Sequence, residues 1–485
     1  MNFVLRVLHV LFAHTFSCDN YCYYIMTPKI LVLLFRFIVL LNMSNAFRNG
    51  YSKRGVFSYL HATKDDVSHK EIDKYAFFYS KKEFKDIGLQ DMMDSVITSL
   101  SLKMPSKIQA LSFARIYSGE HCILADQTGS GKTLAYLLPI IQRMVMTMRD
   151  PGTTSVSSSS RAPYIVILLP TTELAVQVSR VVKSLANALK FRTSSLTSIS
   201  DMDSEQKKLR LGADVVVATP GRLIAAMNKN EISLKQIQSI VFDEADVLFM
   251  DQSFPLQSIG TSCPDSSQFL FVTATLPNLV REQIVSEFPN VNFLSGPGLH
   301  RIAPTISEVL VDCSVNDNTG DKSMNKILEN KKLALIQTIE SQPSERTIIF
   351  CNTIDQCRKV ENILQRLDRD SQVRSIYPYH GAIDGLARQE NIVEFSRPLL
   401  KLPSILICTD RASRGIDFDR AQVDHVILFD FPFDPSEYIR RVGRTGRAGR
   451  GGKATVLAYG KQVSIAKKIL SASIQGKKID PELTI

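Results

Sequence analysis

A glycine-rich turn has the residue types that bind the phosphates of a nucleotide. It consists of Asp126, Gln127, Thr128, Gly129, Ser130, Gly131, Lys132 and Thr133. Glycines let backbone N–H groups approach phosphate oxygens, Lys132 would neutralise the β and γ phosphates, and Thr133 would offer its hydroxyl to Mg2+. We therefore predict that residues 128–133 bind a nucleotide. The acid at Asp126 is electrostatically unfavourable beside polyphosphate unless its side chain points away.

A pair of adjacent acids follows an apolar run further along the chain. Residues 240–242 lead into Asp243, Glu244, Ala245 and Asp246. At the end of a buried strand, Asp243 would hold Mg2+ through water, and Glu244 would orient and deprotonate an attacking water. On an exposed helix the same residues would form only a solvated charged turn. Their place after a strand and downstream of a phosphate loop favours the catalytic interpretation.

Short apolar runs that each end in a polar motif are the elements that must position these residues. They are typical of buried parallel strands, whose carboxyl ends present loops. The first series is residues 121–125, 164–169, 214–218, 239–242 and 268–273. The second is residues 347–351, 374–379, 404–408, 425–429 and 453–459. The fold class that they predict is α/β, with two tandem doubly wound parallel-sheet lobes.

The predicted domain boundaries follow from these two series. An amino-terminal lobe at residues 80–296 is joined through a Gly/Pro-rich linker, residues 297–304, to a carboxyl-terminal lobe at residues 305–472. Residues 473–485 are predicted to be a short basic tail. A serine-rich stretch at residues 153–160 indicates a surface loop and carries no assignable chemistry.

Composition and charge limit the classes of protein that the chain can be. With 485 residues and 44% hydrophobic content, it is long and apolar enough for two or three folded domains. The net charge of +10 is concentrated at the two ends, and residues 437–485 carry eleven Lys/Arg against three Asp/Glu. A basic tail is compatible with nucleic acid or with a merely solvated face. The eight cysteines show neither zinc spacing nor a CxxC pair, which favours a reducing compartment.

The amino-terminal segment, residues 1–79, is predicted to be a targeting presequence that is poorly ordered. An apolar block at residues 30–41 contains Arg36 and is shorter than the roughly 20 residues that span a bilayer. Small polar residues 44–46 follow it, and then a basic, hydroxylated stretch without acids, so that Met26 is an alternative start. This resembles a signal peptide followed by a transit peptide, and we expect a plastid location, with mitochondrion or nucleolus as alternatives. A membrane anchor or an untranslated upstream region is the competing interpretation.

From about residue 84 to residue 460, the order of the motifs resembles that of the DEAD-box RNA helicases. Beside the phosphate loop and the Asp-Glu-Ala-Asp string, residues 105–109 are similar to the family's adenine-reading Q motif. The resemblance implies RecA-like lobes, and it implies that Phe84 and Gln109 contact the adenine. Leu102 stands where an aromatic residue is usual, which weakens base stacking.

Further motifs in both lobes resemble the family's RNA-contacting segments. Thr172 stands where the family has an arginine, and loss of that charge weakens phosphate contact. By the resemblance, the RNA-contacting residues would be Pro170, Thr171, Thr219, Gly221, Arg222, Gly381, Arg388, Thr409 and Arg414. Backbone amides and short hydroxyls suit contact with phosphates and 2′-OH groups, so we expect RNA binding with little sequence preference.

The remaining motifs are those that would couple the two lobes. Arg444 and Arg447 would be arginine fingers that reach the γ-phosphate from the second lobe. Arg440 stands where the family has a histidine, and Arg450 reads as part of a generic basic patch. By the resemblance, Asp417 would meet the ATP ribose, and the residues that couple hydrolysis to RNA strain would be Asp246, Thr273, Thr275 and Arg441.

The resemblance implies an ATP-dependent RNA helicase that uses ATP and Mg2+ and remodels RNA through closure and release of two lobes. We expect a monomer without stable membrane association, and ribosomal RNA processing is the favoured role. The alternatives are a weakly hydrolysing ATP-dependent RNA clamp and a DNA helicase, while a GTPase is disfavoured because no Asn-Lys-x-Asp motif occurs. All of this requires that Lys132 and Glu244 face Arg444 and Arg447 across one crevice.

Overall fold

The structure is a computed structural model, and it describes residues 59–61, 78–149, 162–197, 209, 211–251, 253–315, 324–368, 373–398, 402–410, 422–447 and 450–480. All of these lie in the second of two compact units, Phe57–Ile485. The apolar block at residues 30–41, the serine-rich loop at residues 153–160, Arg414 and Asp417 lie outside the described residues. None of the described helices is long and apolar enough to cross a membrane.

Lobe one is built on a sheet whose paired strands are all parallel. Strands are numbered along the chain, and β1 (Tyr59–His61) belongs to lobe two. The strands of lobe one are β2 (Cys122–Ala125), β3 (Ile165–Leu168), β4 (Thr193–Leu196), β5 (Val215–Ala218), β6 (Ser239–Asp243), β7 (Gln268–Thr273) and β8 (Asn292–Ser295). In the described part of the chain their order is β4-β5-β3-β6-β7-β2-β8. The carboxyl ends of β2 and β6 therefore lie on the same edge of the sheet, separated only by β7.

Lobe two has a second sheet of the same kind. Its further strands are β9 (Ile306–Asp312), β10 (Arg346–Cys351), β11 (Ser375–Tyr379), β12 (Ser404–Thr409), β13 (His425–Leu428) and β14 (Gly452–Ala458). The order among described strands is β1-β9-β14-β13-β10-β12-β11, and β1 pairs with β9 antiparallel while the other pairs are parallel. The predicted α/β class with two doubly wound parallel-sheet lobes is thus confirmed.

Each sheet buries both of its faces, which explains why its central strands are apolar throughout. In β2, Leu124 belongs to the hydrophobic cluster on one face and Ile123 to the cluster on the other. In β10, Ile348 and Ile349 divide in the same way between the two clusters of lobe two. Because successive side chains of a strand point to opposite faces, only a continuous apolar run satisfies both layers.

Helices cover the two faces of each sheet. In lobe one they are Asp94–Ser99, Lys107–Tyr117, Lys132–Arg149, Thr172–Leu189, Pro220–Asn228, Ala245–Met250, Leu256–Gly260 and Asn278–Glu287, with a 3-10 turn at Asp91–Met93. In lobe two they are Met324–Ser341, Ile354–Leu367, Gly385–Phe395, Pro435–Val442 and Lys461–Ile474. Several begin directly after a strand with an N-cap, since Thr171, Thr353 and Asp434 each accept a backbone N–H from three residues on.

Besides the short strand β1, three described strands of the two lobes were not predicted from the sequence. The edge strands β4 and β8 have polar or exposed residues at alternate positions, so no continuous apolar run marks them. The third, β9, includes Glu308, a buried carboxylate that accepts the Tyr438 hydroxyl at 2.6 Å. A buried, satisfied acid interrupts the hydrophobic pattern on which sequence-based prediction depends.

The predicted linker, residues 297–304, lies between β8 and β9, and therefore between the two lobes. Its His300 carbonyl accepts the backbone N–H of Ile479 at 2.7 Å, and the Ile479 side chain is buried. The described part of the basic tail thus packs on the linker. Within the segment predicted to be a presequence, Tyr59–His61 forms β1.

A buried histidine in lobe two gives the fold a predicted pH dependence. Burial, aided by Lys453, lowers the pKa of His425 from 6.5 to about 4, and its Nε2 lies 2.8 Å from Thr455 Oγ1. The unfolded chain therefore binds a proton between about pH 6.5 and pH 4 that the folded chain does not. Stability is complete above that window and falls, by about 1.4 kcal/mol per pH unit from this group alone, as the pH decreases through it.

We expect His425→Gln to reduce this slope. The free energy of unfolding of wild type and variant should be measured by urea denaturation at pH 7, 6 and 5. As the pH falls from 7 to 5, the free energy of unfolding should decrease less in the variant than in wild type, whichever of the two proteins is more stable at pH 7. Parallel pH profiles would show that His425 is protonated equally in both states.

Candidate nucleotide cleft and nucleic-acid surface

The phosphate loop follows β2 and leads into the helix Lys132–Arg149. Two of its glycines adopt left-handed backbone conformations, with φ of +75° at Gly129 and +89° at Gly131. A Cβ on Gly131 would lie 2.7 Å from Gln109 Nε2, and that amide donates to the Gly131 carbonyl at 3.1 Å. Glycine is required at this position both by conformation and by space.

The Lys132 side chain is hydrogen-bonded to the backbone of the phosphate loop. Its ammonium donates to the backbone carbonyls of Asp126 at 2.7 Å and Gln127 at 2.8 Å. Burial lowers the pKa of Lys132, whereas the carboxylates of Glu244 and Asp126 oppose that shift. The ammonium is therefore placed at the mouth of the loop, where a phosphate would compete with two carbonyl oxygens for it.

The unusual acid of the loop points away from the phosphate position. Asp126 is 3% exposed, and its Oδ1 accepts the backbone N–H groups of Gln127 and of Gly298 in the linker, both at 2.9 Å. Burial raises the pKa of Asp126, and Lys132 and the two backbone N–H groups act against that rise. The side chain of Asp126 therefore points away from the phosphate position, as a polyphosphate site requires.

The acidic pair stands at the end of β6, on the same sheet edge as the phosphate loop. Asp243 accepts the Tyr136 hydroxyl at 3.0 Å and the Glu244 backbone N–H at 3.0 Å. Burial and the neighbouring Glu244 raise the pKa of Asp243 to about 7. Glu244 has a left-handed backbone with φ of +55°, which turns the chain sharply from strand to helix.

Thr133 and Asp243 line the same cleft and are the residues that would hold a divalent cation. Among the described residues, no group of three or more His, Cys, Asp or Glu side chains is arranged to hold a metal. One hydroxyl and one carboxylate nevertheless fit Mg2+, which is held by one or two carboxylates, waters and substrate phosphates.

Lobe two provides the opposite wall of the cleft. Arg444 and Arg447 line the same cavity of about 450 Å3 as Lys132 and Glu244. Burial and Arg447 lower the pKa of Arg444 to about 10, while the facing Glu244 carboxylate opposes the shift. The four side chains on which the functional hypothesis depends therefore come together in one crevice between the lobes.

Close packing at small residues brings the lobes together. The Thr128 hydroxyl donates to the Gly443 carbonyl at 3.2 Å, and a Cβ on Gly443 would lie 2.4 Å from Thr128 Oγ1. A Cβ on Gly129 would lie 3.3 Å from Cγ of Arg447. The phosphate loop is thus in contact with the arginine-rich segment that follows the helix Pro435–Val442.

An apolar wall closes one end of the cleft, and sequence reasoning found only part of it. Leu102 was noted as a replacement for an aromatic residue, and it lines the cavity with Leu100. The helix Thr172–Leu189 adds an apolar face, whose spacing is the signal that could have identified it. Its lining residues are Leu174, Gln177, Val178 and Val181.

The two residues predicted to contact adenine are both buried in lobe one. Phe84 is 7% exposed and packs in the core of lobe one with Phe113. Gln109 is 6% exposed, and its Oε1 accepts the Ser106 backbone N–H at 2.9 Å in a capping box. Gln109 thus connects the Q-motif segment to the phosphate loop through the Gly131 carbonyl. Neither Phe84 nor Gln109 lines the described cavity.

An ion pair joins the lobes beside the cleft. Asp246 Oδ2 accepts the Thr275 hydroxyl at 2.7 Å and also pairs with Arg440 at 3.0 Å. Both partners of the ion pair are largely buried. Thr273 donates to the Thr275 carbonyl. The arginine that replaces the family's histidine therefore contacts the Asp-Glu-Ala-Asp string directly.

Arg441 has a different environment from its neighbours. Its guanidinium is fully buried in lobe two, where it pairs with Asp410 and donates to the Asn352 side chain and the Asp430 carbonyl, both at 2.7 Å. It also lies over the Phe350 ring. Arg441 thus ties three strand ends of lobe two together, behind the wall of the cleft.

The residues predicted to contact RNA lie at strand ends in both lobes. In lobe one, Pro170 and Thr171 follow β3, and Thr219, exposed Gly221 and Arg222 begin the helix that follows β5. In lobe two, exposed Gly381 follows β11, Arg388 lies on the next helix, and Thr409 ends β12. Burial, Glu173 of lobe one and other neighbours raise the pKa of Tyr379 to about 12. Glu173 of lobe one therefore lies close enough to Tyr379 of lobe two to affect its pKa, which brings these two strand ends near each other.

These features define a class of protein. Two α/β lobes, a phosphate loop on one, an acidic pair beside it and arginines opposed to both are the arrangement of a two-lobed P-loop nucleotide-binding protein. Residues 106–283 match the DEAD/DEAH box helicase family, and residues 330–449 match the helicase conserved C-terminal domain.

Individual relatives agree with that class. A DEAD-box ATP-dependent RNA helicase 50 from Oryza sativa subsp. japonica is 42% identical over 403 residues, 82% of this chain and 62% of that protein. An ATP-dependent rRNA helicase RRP3 from Yarrowia lipolytica is 30% identical over 438 residues, 87% of this chain and 82% of that protein. The chain belongs to the DEAD-box helicase family.

Solved structures are similar over most of the chain. S. cerevisiae Dbp5 bound to RNA and ADP BeF3 is 25% identical with a TM-score of 0.65, and the match covers 82% of this chain and 94% of that chain. Mss116p bound to ssRNA and AMP-PNP has the same identity and TM-score, with 80% and 76% covered. The chain spans 62% and 51% of the lengths of the rice and Arabidopsis thaliana helicase 50 proteins.

The ion pair between the lobes leads to a prediction. Arg440→Gln should lower RNA-stimulated ATP turnover by about tenfold, because the substitution leaves the buried Asp246 carboxylate without its cation. Arg440→His should recover part of the loss, since histidine is the family residue. Arg397→Gln is the matched control, because Arg397 forms an exposed pair with Glu394 on the surface of lobe two. Equal rates for Arg440→Gln and Arg397→Gln would exclude a role for the ion pair.

Proposed function

We propose that this protein is an ATP-dependent RNA helicase that separates or remodels short stretches of RNA by closing two lobes. The single observation that carries the proposal is the shared cleft, in which Lys132 and Glu244 of lobe one face Arg444 and Arg447 of lobe two. A site divided between two bodies is complete only when they approach each other. ATP would thus stabilise the closed form, and hydrolysis would remove that stabilisation.

ATP with Mg2+ is the nucleotide that we propose for the cleft. Glycine-rich backbone, a lysine and two arginines provide positive potential for a triphosphate, and Thr133 with Asp243 would hold the cation. Bound Mg2+ would neutralise charge on the β and γ phosphates. Glu244, held by the turn at the end of β6, would orient and deprotonate the attacking water.

RNA is the proposed second ligand. The candidate contact residues are short hydroxyls, glycines and two arginines at strand ends of the two lobes, which suit a sugar-phosphate backbone better than base edges. Dbp5 and Mss116p are described as bound to RNA or ssRNA, and the relatives are named RNA or rRNA helicases. We extend that substrate class to this chain, with ribosomal RNA as the favoured target and a monomer as the working unit.

Because both ligands would bridge the same two lobes, each should favour binding of the other. This coupling is reciprocal by thermodynamic linkage, and its usual size is about 1 to 3 kcal/mol. Closing on a bent strand would release the partner strand locally. Unwinding would then be local and would not require travel along a duplex.

The competing hypothesis of a weakly hydrolysing clamp is based on three departures from the family pattern, which are Asp126 in place of a glycine or alanine, Leu102 in place of an aromatic residue and Thr172 in place of an arginine. One of them, Asp126, is directed toward the linker and leaves the phosphate position free of its carboxylate. Leu102 stands in an apolar wall rather than alone. Only Thr172 remains as a simple loss of charge, so the geometry favours a hydrolase over a clamp.

Two substitutions test the hydrolytic assignment. Lys132→Ala should reduce RNA-stimulated ATP turnover by about a hundredfold or more, because the triphosphate loses its lysine. Glu244→Gln should reduce turnover similarly but retain ATP, because it removes the base and leaves the binding groups. In strand-separation assays, Glu244→Gln should hold RNA in a long-lived complex with ATP.

Exposed residues of lobe one provide the controls for these substitutions. Lys183→Ala and Glu287→Gln change the same residue types on the surface of lobe one and should behave as wild type. RNA-stimulated hydrolysis at the wild-type rate in Glu244→Gln would refute the assignment of the base. Turnover that is unaffected by RNA in the wild-type protein would favour the clamp.

We also propose that the amino-terminal segment directs the protein to a plastid. The support is the apolar block at residues 30–41 followed by a basic, acid-free stretch. A fluorescent fusion of residues 26–70 should collect in the plastid, and the same fusion with residues 30–41 deleted should not. Cytosolic, mitochondrial or nucleolar fluorescence of the intact fusion would refute the plastid assignment.

A further inference from the structure

Asp126 connects the phosphate loop to the linker between the lobes. Its Oδ1 accepts the backbone N–H of Gly298, which lies 172 residues away along the chain, at 2.9 Å. The same oxygen accepts the N–H of Gln127 in the loop itself, also at 2.9 Å. One buried carboxylate oxygen thus joins the first turn of the phosphate loop to the linker.

The side chains of Asp126 and Gln127 fit against the start of the linker only because residue 296, which precedes it, and residue 298 within it are glycines. A Cβ on Gly296 would lie 2.1 Å from Asp126 Cγ, and a Cβ on Gly298 would lie 2.5 Å from Gln127 Cδ. Neither glycine has a positive φ, so space and not backbone conformation is what requires glycine at both positions. Gly296 is thus complementary in shape to Asp126, and Gly298 is complementary to Gln127.

We propose that Asp126 is a positioning residue that fastens the interlobe linker to the phosphate loop, and that it thereby couples occupancy of the loop to closure of the lobes. This inference rests on the proposed function, because it assumes that a nucleotide binds the loop and that RNA closes the lobes. No part of it requires Asp126 to touch the nucleotide.

The physical path for this coupling is short. Lys132 donates to the backbone carbonyl of Asp126, and a phosphate that draws the ammonium away would release that carbonyl. The Asp126 carbonyl and the Gln127 N–H belong to the same peptide unit, and this N–H donates to the Asp126 carboxylate. A change at the loop therefore reaches Gly298 through two hydrogen bonds, and the linker continues directly into β9 of lobe two.

The acceptor oxygen, rather than the negative charge, is what the linker contacts. Asparagine retains an oxygen in the Oδ1 position, whereas alanine removes it and leaves the Gly298 N–H buried without its acceptor. Asp126→Asn should therefore preserve the connection, and Asp126→Ala should abolish it. This pair of variants separates hydrogen bonding from charge, since both lose the carboxylate.

The first test reads the connection without reference to enzymatic activity. Hydrogen exchange followed by mass spectrometry should be measured on the full chain, in peptides that span residues 296–304. Asp126→Ala should accelerate exchange at the Gly298 amide by about tenfold or more, the equivalent of about 1.4 kcal/mol. Asp126→Asn should remain within about twofold of wild type, well below the effect of losing one hydrogen bond.

A double-mutant cycle tests the fit between the acid and the glycine. Gly296→Ala should destabilise the wild-type protein, measured by urea denaturation, because its new Cβ overlaps the Asp126 side chain. The same substitution should have a much smaller effect in the Asp126→Ala background, where that side chain is shortened. Gly260→Ala is the control, because no atom lies within 4 Å of the Cβ that it adds.

The third measurement is the coupling itself. The affinity for ATP should be determined with and without a single-stranded RNA in wild type, Asp126→Asn and Asp126→Ala. We expect the ratio of the two affinities to fall by about fivefold or more in Asp126→Ala and to be retained in Asp126→Asn. Thermal unfolding of each variant shows whether the protein is folded, and the asparagine variant keeps the test decisive if alanine unfolds it.

The outcomes separate this proposal from the proposed function. Unchanged exchange at residues 296–304 in Asp126→Ala, or an equal effect of Gly296→Ala in both backgrounds, would overturn the connection whether or not the protein hydrolyses ATP. Faster exchange with an unchanged ATP–RNA affinity ratio would overturn the coupling. Wild-type protein that fails to bind ATP or RNA would instead refute the proposed function and leave the connection to be judged by the first two tests.

Discussion

The arrangement of charge in the interlobe cleft is the constraint on which the structure depends. Lys132, Arg444 and Arg447 are three cations that two separate lobes bring to one cavity, and the Glu244 carboxylate is the acid that faces Arg444. Burial lowers the pKa of both Lys132 and Arg444, so the charged forms are costly in the cavity without an anion. A triphosphate is the kind of anion that satisfies this requirement. The parallel sheets, the strand-end loops and the small residues at the interface all serve to bring these charges together.

Small residues decide how closely the lobes approach each other. Thr128 contacts Gly443, and Gly129 lies against the aliphatic part of Arg447, so the phosphate loop and the arginine-rich segment approach each other closely at these two positions. Such contacts are short-range and bury little apolar area. Binding of a ligand with many charges can therefore outweigh them, whereas the apolar clusters within each lobe keep the lobes rigid.

Sequence patterns predicted the strands that are continuous apolar runs. They did not predict edge strands or side-chain positions that depend on contacts between distant residues. Central strands such as β5 and β7 are apolar throughout, so their position and the motifs after them could be located. Edge strand β4, with the sequence Thr-Ser-Ser-Leu, carries no such signal. Likewise the direction of the Asp126 side chain depends on Gly298, and the environment of Arg440 depends on Asp246, 194 residues away. No local pattern contains that information, because packing between distant segments determines which face a side chain presents.

The positions at which this chain departs from its family acquire meaning from their neighbours. Read one by one, an acid in the phosphate loop and an arginine in place of a histidine would each weaken a nucleotide site. In the fold, the acid meets two backbone N–H groups and two glycines, and the arginine meets a buried carboxylate that already accepts a threonine hydroxyl. Both side chains make polar contacts with the linker or with the opposite lobe. Two departures from the family pattern therefore concern how the phosphate loop and the acidic string are joined to the linker and to lobe two, while Lys132, Glu244, Arg444 and Arg447 still line one cleft.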